Sequence, residues 1–111
     1  MIDVLKISGL GEFKATTEKL GSDEEVKIFW KKVKEEAFGD DQTETEKAFL
    51  VIRKNTLEVR SDRKLSQLLC EKYESVMESR YFGRGGVEIV NSGQLTNSEL
   101  EDLIRLSYNL T

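Results

Sequence analysis

The 111-residue chain has no histidine and no proline, a single cysteine, and no apolar run near the roughly 20 residues that a membrane-spanning helix needs. Each absence removes a class of function. Without histidine there is no imidazole base, no hydrolytic triad built on a histidine relay and no His-ligated metal site. Cys70, alone, forms neither an internal disulfide nor a cysteine-rich zinc site. Carboxylates, lysines, tyrosines and one thiol remain for chemistry, and no spacing among them makes a catalytic constellation. The expectation is therefore a non-enzymatic protein without a cofactor. The opening MIDVLKISGLGEF carries an early aspartate and lacks the basic stretch and apolar block of a secretory leader. With the lone cysteine, this points to a cytoplasmic protein with no membrane partner.

What is present fits one folded domain over residues 1–111. Hydrophobic residues make up 38% and charged ones 34%, a balance that supports a core. The net charge of −4 is unevenly spread. Residues 1–50 hold eight cationic and twelve anionic side chains, residues 51–84 eight and five, and residues 85–111 one and four. A mildly basic middle third thus lies between acidic ends, a pattern that solvated faces also produce.

Along the chain, Ile2 to Ser8 reads as a short strand, and the glycine-bracketed GLGEFKATTEKLG as a loop with one helical turn. Ser22 and Glu25 form a capping-box pair, and Val26, Phe29, Trp30, Val33 and Ala37 follow at helical spacing, so a helix is expected from Ser22 to a stop at Gly39. Its Ile28 would lie opposite the core face. GDDQTETEK is a polar loop. KAFLVIRK, a turn at Asn55 and TLEVR then read as a hairpin. Ser61 or Asp62 caps a second helix whose apolar face is Leu65, Leu68, Leu69, Tyr73 and Val76, with Cys70 as a packing residue at its edge. SRYFGRGG and VEIV are extended pieces around a glycine turn. Thr96 and Glu99 form another capping box, opening a helix with Leu100, Leu103, Ile104, Leu106, Tyr108 and Leu110. That arc is wide enough to leave an apolar edge for a partner. Strands arriving as hairpins predict an α+β fold, an antiparallel sheet with helices packed on one face.

Three segments invite a functional reading. Gly83, Gly85 and Gly86 suggest a phosphate loop, but no Lys-Ser/Thr follows, and a hairpin needing positive φ explains them better. The acidic runs Asp23-Glu24-Glu25 and Asp40-Asp41 lack the ligand ladder of a calcium loop, so no metal site is expected. Arg80, Tyr81, Phe82 and Arg84 interleave cations with aromatics. Strand alternation would set Arg80, Phe82 and Arg84 on one face. With Arg53, Lys54, Arg60, Arg63 and Lys64 they make a candidate nucleic-acid surface. The competing reading has the rings in the core and the arginines paired with acids.

The stretches LEVRSDRKLSQLLCEKYESV, SRYFGRGGVEI and LTNSELEDLIRLSYNL together resemble the MmcQ/YjbR-like family over residues 47–110. The matching positions include Asp62, Leu65, Tyr73, Tyr81, Leu95, Glu99, Ser107, Tyr108 and Leu110. The Ser-Tyr-x-Leu ending is the most distinctive piece. The family's proline-glycine segment is absent, and GRGGVEI stands where a Lys/Arg-His-Trp-Asn type segment is usual. The resemblance implies a YjbR/CyaY-like, frataxin-like α+β fold and a DNA-binding role. The leading expectation is a binding module that contacts nucleic acid. The alternative is a protein-interaction or self-associating domain that uses the apolar C-terminal helix.

Overall fold

Apolar residues alternating with polar ones mark a strand with one buried face, and this pattern governs more of the chain than its helical spacings suggest. The fold is seen in a computed structural model that describes residues 3–21, 24–36 and 42–111. The strands are β1 (Phe13–Leu20), β2 (Glu24–Glu36), β3 (Gln42–Ile52), β4 (Thr56–Arg60), β5 (Val76–Ser79) and β6 (Gly83–Val90), paired antiparallel in the order β1-β2-β3-β4-β6-β5. Helices α1 (Arg63–Lys72) and α2 (Asn97–Leu110) share one core with the sheet, so both lie on the same face. The α+β class and the antiparallel sheet agree with the sequence. Neither helix is long and apolar enough to cross a membrane.

The first half departs from expectation. Val4–Lys6 is a single 3-10 turn where a strand was expected. The expected loop contains β1, and the expected helix is β2. Ser22, its proposed cap, and Ala37, Gly39, Asp40 and Asp41 lie outside the described residues. The physical reason is pairing on both sides of β2. Strand alternation sets Val26, Ile28 and Trp30 on one side and Phe29 on the other, and apolar residues on both faces imitate a helical stripe. A bulge lies on the neighbouring strand: Phe29 pairs with Leu50 and Trp30 with Ala48, leaving Phe49 as the extra residue on β3. The same bulge lets the neighbours Phe49 and Leu50 both turn toward the helices. Ile28, expected to be exposed, is fully buried.

The second half follows the sequence closely. Asp62 caps α1 by accepting from the Leu65 N–H at 2.8 Å, and both bonds of the Thr96–Glu99 capping box are present. On α1, Leu69 packs on the core but Leu68 is 56% exposed. Tyr73 is the C-terminal cap, and Val76 belongs to β5. Cys70 is exposed rather than a packing residue.

The C-terminal Ser-Tyr pair fastens α2 to the sheet. Ser107, with no exposure, donates to the Phe49 carbonyl at 2.5 Å and accepts from the Arg60 N–H at 2.8 Å, joining β3 and β4 through one hydroxyl. Tyr108 stacks edge-on against Phe49 with centroids 5.0 Å apart and donates to the Glu12 carbonyl at 3.0 Å. Lys31 Nζ lies over the Tyr108 ring and donates to its carbonyl at 2.9 Å. Ser107→Ala leaves a buried N–H and a buried C=O unpaired, so it should cost about 2–4 kcal/mol in urea denaturation. Asn109→Ala, at an exposed neighbour, should stay within about 0.5 kcal/mol.

Candidate functional site

The face of the sheet opposite the helices is not open. Val26, Ile28, Ala48 and Val51 form a second apolar cluster there, against which Trp30, Tyr81 and Phe82 pack. The turn between β5 and β6 folds back to cover it. The cover lies close: a Cβ on Gly86 would stand 2.6 Å from the Val59 carbonyl and 2.7 Å from Phe82 Cβ, so only glycine fits beneath the ring. Gly83, at φ 63, makes the turn itself, as the hairpin reading of this glycine cluster expected.

Alternation along TLEVR and VEIV places Glu58 and Glu88 directly opposite each other on this covered face. Both are buried, Glu58 completely and Glu88 at 2% exposure, and a buried carboxylate persists only when paired and hydrogen-bonded. Glu58 Oε2 accepts from Arg53 Nε at 2.6 Å. Its Oε1 accepts from Ser79 Oγ at 2.7 Å and from the Tyr81 N–H at 2.9 Å. Ser79 Oγ accepts in turn from the Phe82 N–H at 2.8 Å. Glu88 takes a bidentate pair from Arg80, at 3.0 and 2.7 Å. Glu24 Oε2 stands 3.1 Å from Arg53 and 3.9 Å from Arg80, bridging the two. Burial pushes Glu88 upward, but the Arg80 bonds outweigh it and hold the carboxyl below its usual 4.5. Glu88 raises Arg80 in return, chiefly through the same hydrogen bond. Burial, then the charge of Glu18, raises the Tyr81 phenol.

The seven basic candidates therefore separate. Arg53 is buried in the carboxylate network, Arg80 clasps Glu88, and Arg60 donates to the Ala48 carbonyl at 2.7 Å with its guanidinium 4.9 Å from the Phe82 centroid. Arg80, Phe82 and Arg84 do not share a strand face, because Arg80 and Phe82 lie in the covering turn before β6 begins. Lys54, Arg63, Lys64 and Arg84 are exposed, with no ion-pair partner among the described residues. Lys54 sits in the β3–β4 turn, at the other end of β4 from Arg63.

Arg63 and Arg84 come together. They line a cleft of 260 Å³ between α1 and the start of β6, with Ser66, Gln67, Cys70, Glu78 and Gly86. Ser66 is held by the Asp62 carbonyl at 2.9 Å and by Ser61, which fixes the first turn of α1 beside the cleft. Sequence reasoning found the two arginines but missed Gln67, Ser66 and the exposed thiol. It also missed Glu58 and Glu88, whose one signal is a lone carboxylate inside an apolar strand. Among the described residues no cluster of three or more metal-ligating side chains could hold an ion. On α2, Leu106 and Leu110 remain exposed, an apolar edge of the kind the wide arc suggested.

No family model matches the chain, and neither a curated protein nor a solved structure matches it.

Two outcomes test the buried network. Glu58→Ala leaves Arg53 short of its main partner and frees the 79–82 turn, so stability should fall by about 3–5 kcal/mol, with Trp30 emission moving to the red. Glu88 gives a pH test. Its folded value lies below its unfolded one, so its contribution is complete above about pH 4.5 and is lost as pH falls through the lower folded value. The stability gap between wild type and Arg80→Ala should then be widest at neutral pH and narrow in acid, measured by urea denaturation at pH 7 and pH 3.

Proposed function

We propose that this chain is a non-enzymatic binding module of the MmcQ/YjbR-like kind, contacting the phosphate backbone of nucleic acid through Arg63, Lys64 and Arg84. One observation carries the reading. Three of the seven basic candidates are taken up by internal partners, while Arg63 and Arg84 face one cleft with their charge unpaired. Lys64 adjoins them on the first turn of α1. The stretches that carry the resemblance run through β4, the Asp62-capped α1, β5, β6 and α2.

The mode of contact follows from what the cleft lacks. No aromatic ring lines it, and Tyr81 and Phe82 are packed against the sheet on the other face, so bases have no platform to stack on. Recognition is then of phosphates and insensitive to sequence. Glu78 in the same cleft and the net charge of −4 keep the affinity low.

Three phosphate contacts give a slope of about −3 in log affinity against log salt on duplex DNA, or roughly 40-fold weaker binding between about 50 and 200 mM salt. Fluorescence anisotropy with labelled single- and double-stranded DNA measures this directly. Arg63→Glu with Arg84→Glu should abolish binding while leaving the thermal midpoint near wild type. Absence of binding at the lower salt, or binding that the double variant leaves intact, would overturn the assignment.

A further inference from the structure

The two edges of the sheet are built differently. β5 has four residues and a register shift at Glu78/Ser79, both of which discourage further pairing. β1 has eight residues, more than the usual five or six, and matches β2 residue for residue with no shift. No described residue outside β2 hydrogen-bonds its backbone. Lys14, Ala15, Thr17, Glu18 and Lys19 are all exposed along it.

We propose that β1 pairs with β1 of a second copy of this chain, antiparallel about a two-fold axis normal to the sheet at Thr16, joining two sheets into one of twelve strands. Such an axis keeps each sheet face on its own side, so any register is centred on a residue. Centred on Thr16, Lys14 stands opposite Glu18 of the other copy, and Glu18 opposite Lys14, on the face shared with Trp30, Ile28 and Val26. On the helix side Ala15 meets Thr17, and Phe13 meets the aliphatic stem of Lys19. Centring on Ala15 sets Glu12 against Glu18, and centring on Thr17 leaves both Lys14 and Glu18 opposite uncharged residues. Charge complementarity therefore selects the Thr16 register.

Apolar surface lies beside this edge. Val4, Leu5, Phe13, Ala15 and Phe29 line a hollow of 340 Å³ in which Leu5 is 83% exposed. A second copy of β1 would extend the sheet beneath it. Lys14 now reaches across β2 to Glu46 on β3 at 2.7 Å, an exposed pair that it would exchange for the incoming Glu18.

Light scattering over a concentration series tests this on the chain as it is. Wild type should approach twice the 12.7 kDa monomer mass when concentrated and fall toward it on dilution. Lys14→Glu and Glu18→Lys should each remain monomeric with unchanged far-UV circular dichroism, and the doubly swapped chain should associate again. Thr16→Cys in a Cys70→Ser background should oxidise to a covalent dimer. A wild-type monomer at every concentration overturns the proposal. So does association that Lys14→Glu leaves unaltered, which would place the contact elsewhere, such as the apolar edge of α2, or a swapped chain that stays monomeric.

Discussion

The fold depends on satisfying one fully buried carboxyl group. Glu58 is completely buried, and three donors from two parts of the chain converge on it: the Arg53 guanidinium, and the Ser79 hydroxyl and Tyr81 N–H of the β5–β6 turn. Left without partners in an apolar medium, such a group would cost several kilocalories per mole, a large share of a domain's stability, so its donors and the fold form together. Their positions dictate the rest of this face. Arg53 fixes the end of β3, and the two 79–82 donors pull the hairpin turn over the sheet. Four apolar side chains that would otherwise meet solvent are thereby buried.

The opposite face is held by a different chemistry. There the contact between α2 and the sheet is a continuous apolar core, and its buried polar element is the neutral Ser107 hydroxyl between β3 and β4, with the Lys31 ammonium on the Tyr108 carbonyl at the margin. Ser107 and Tyr108 were the most distinctive residues in the family resemblance, and both are fully explained as packing and hydrogen-bonding devices. The distinctiveness of the ending thus bears on how α2 seats on the sheet. Any ligand site has to be sought in residues that the fold leaves unused.

Local signals were legible where local chemistry decides the outcome. The Asp62 cap, the Thr96–Glu99 box and the β3–β4 hairpin through Asn55 each depend on residues within a few positions, and each stands as read. The region before residue 48 was misread because its structure is decided at a distance; the expected polar loop supplies the first residues of β3, Gln42 to Lys47. The Ser22–Glu25 spacing and the Val26–Phe29–Trp30–Val33 stripe describe a plausible helix until β1 and β3 are available to pair. Ladder bonds on both sides of β2 outweigh a propensity difference of a few tenths of a kilocalorie per residue. Glu58 and Glu88 were illegible for a related reason. Alternation places them on the face away from the helices, which by itself implies exposure, and nothing in TLEVR or VEIV tells that the β5–β6 turn will fold back over them.

The basic middle third shows how little a charge count says about a surface. Arg53, Arg60 and Arg80 contribute to the excess between residues 51 and 84, yet one is buried against a carboxylate, one lies between a carbonyl and an aromatic ring, and one clasps a buried glutamate. Which cations remain without an ion-pair partner among the described residues depends on where the carboxylates are buried: Glu58 draws Arg53 inward, and Glu88 engages Arg80, whose side chain stays 58% exposed. What remains at the cleft is Arg63 and Arg84, with Lys64 beside them, held by the first turn of α1 and the first residues of β6. Both elements take their positions from the sheet that Glu58 organises. The carboxylates that engage Arg53 and Arg80 therefore sit in the sheet that also fixes the geometry of the two arginines facing the cleft, which turns a diffuse positive segment into a local one.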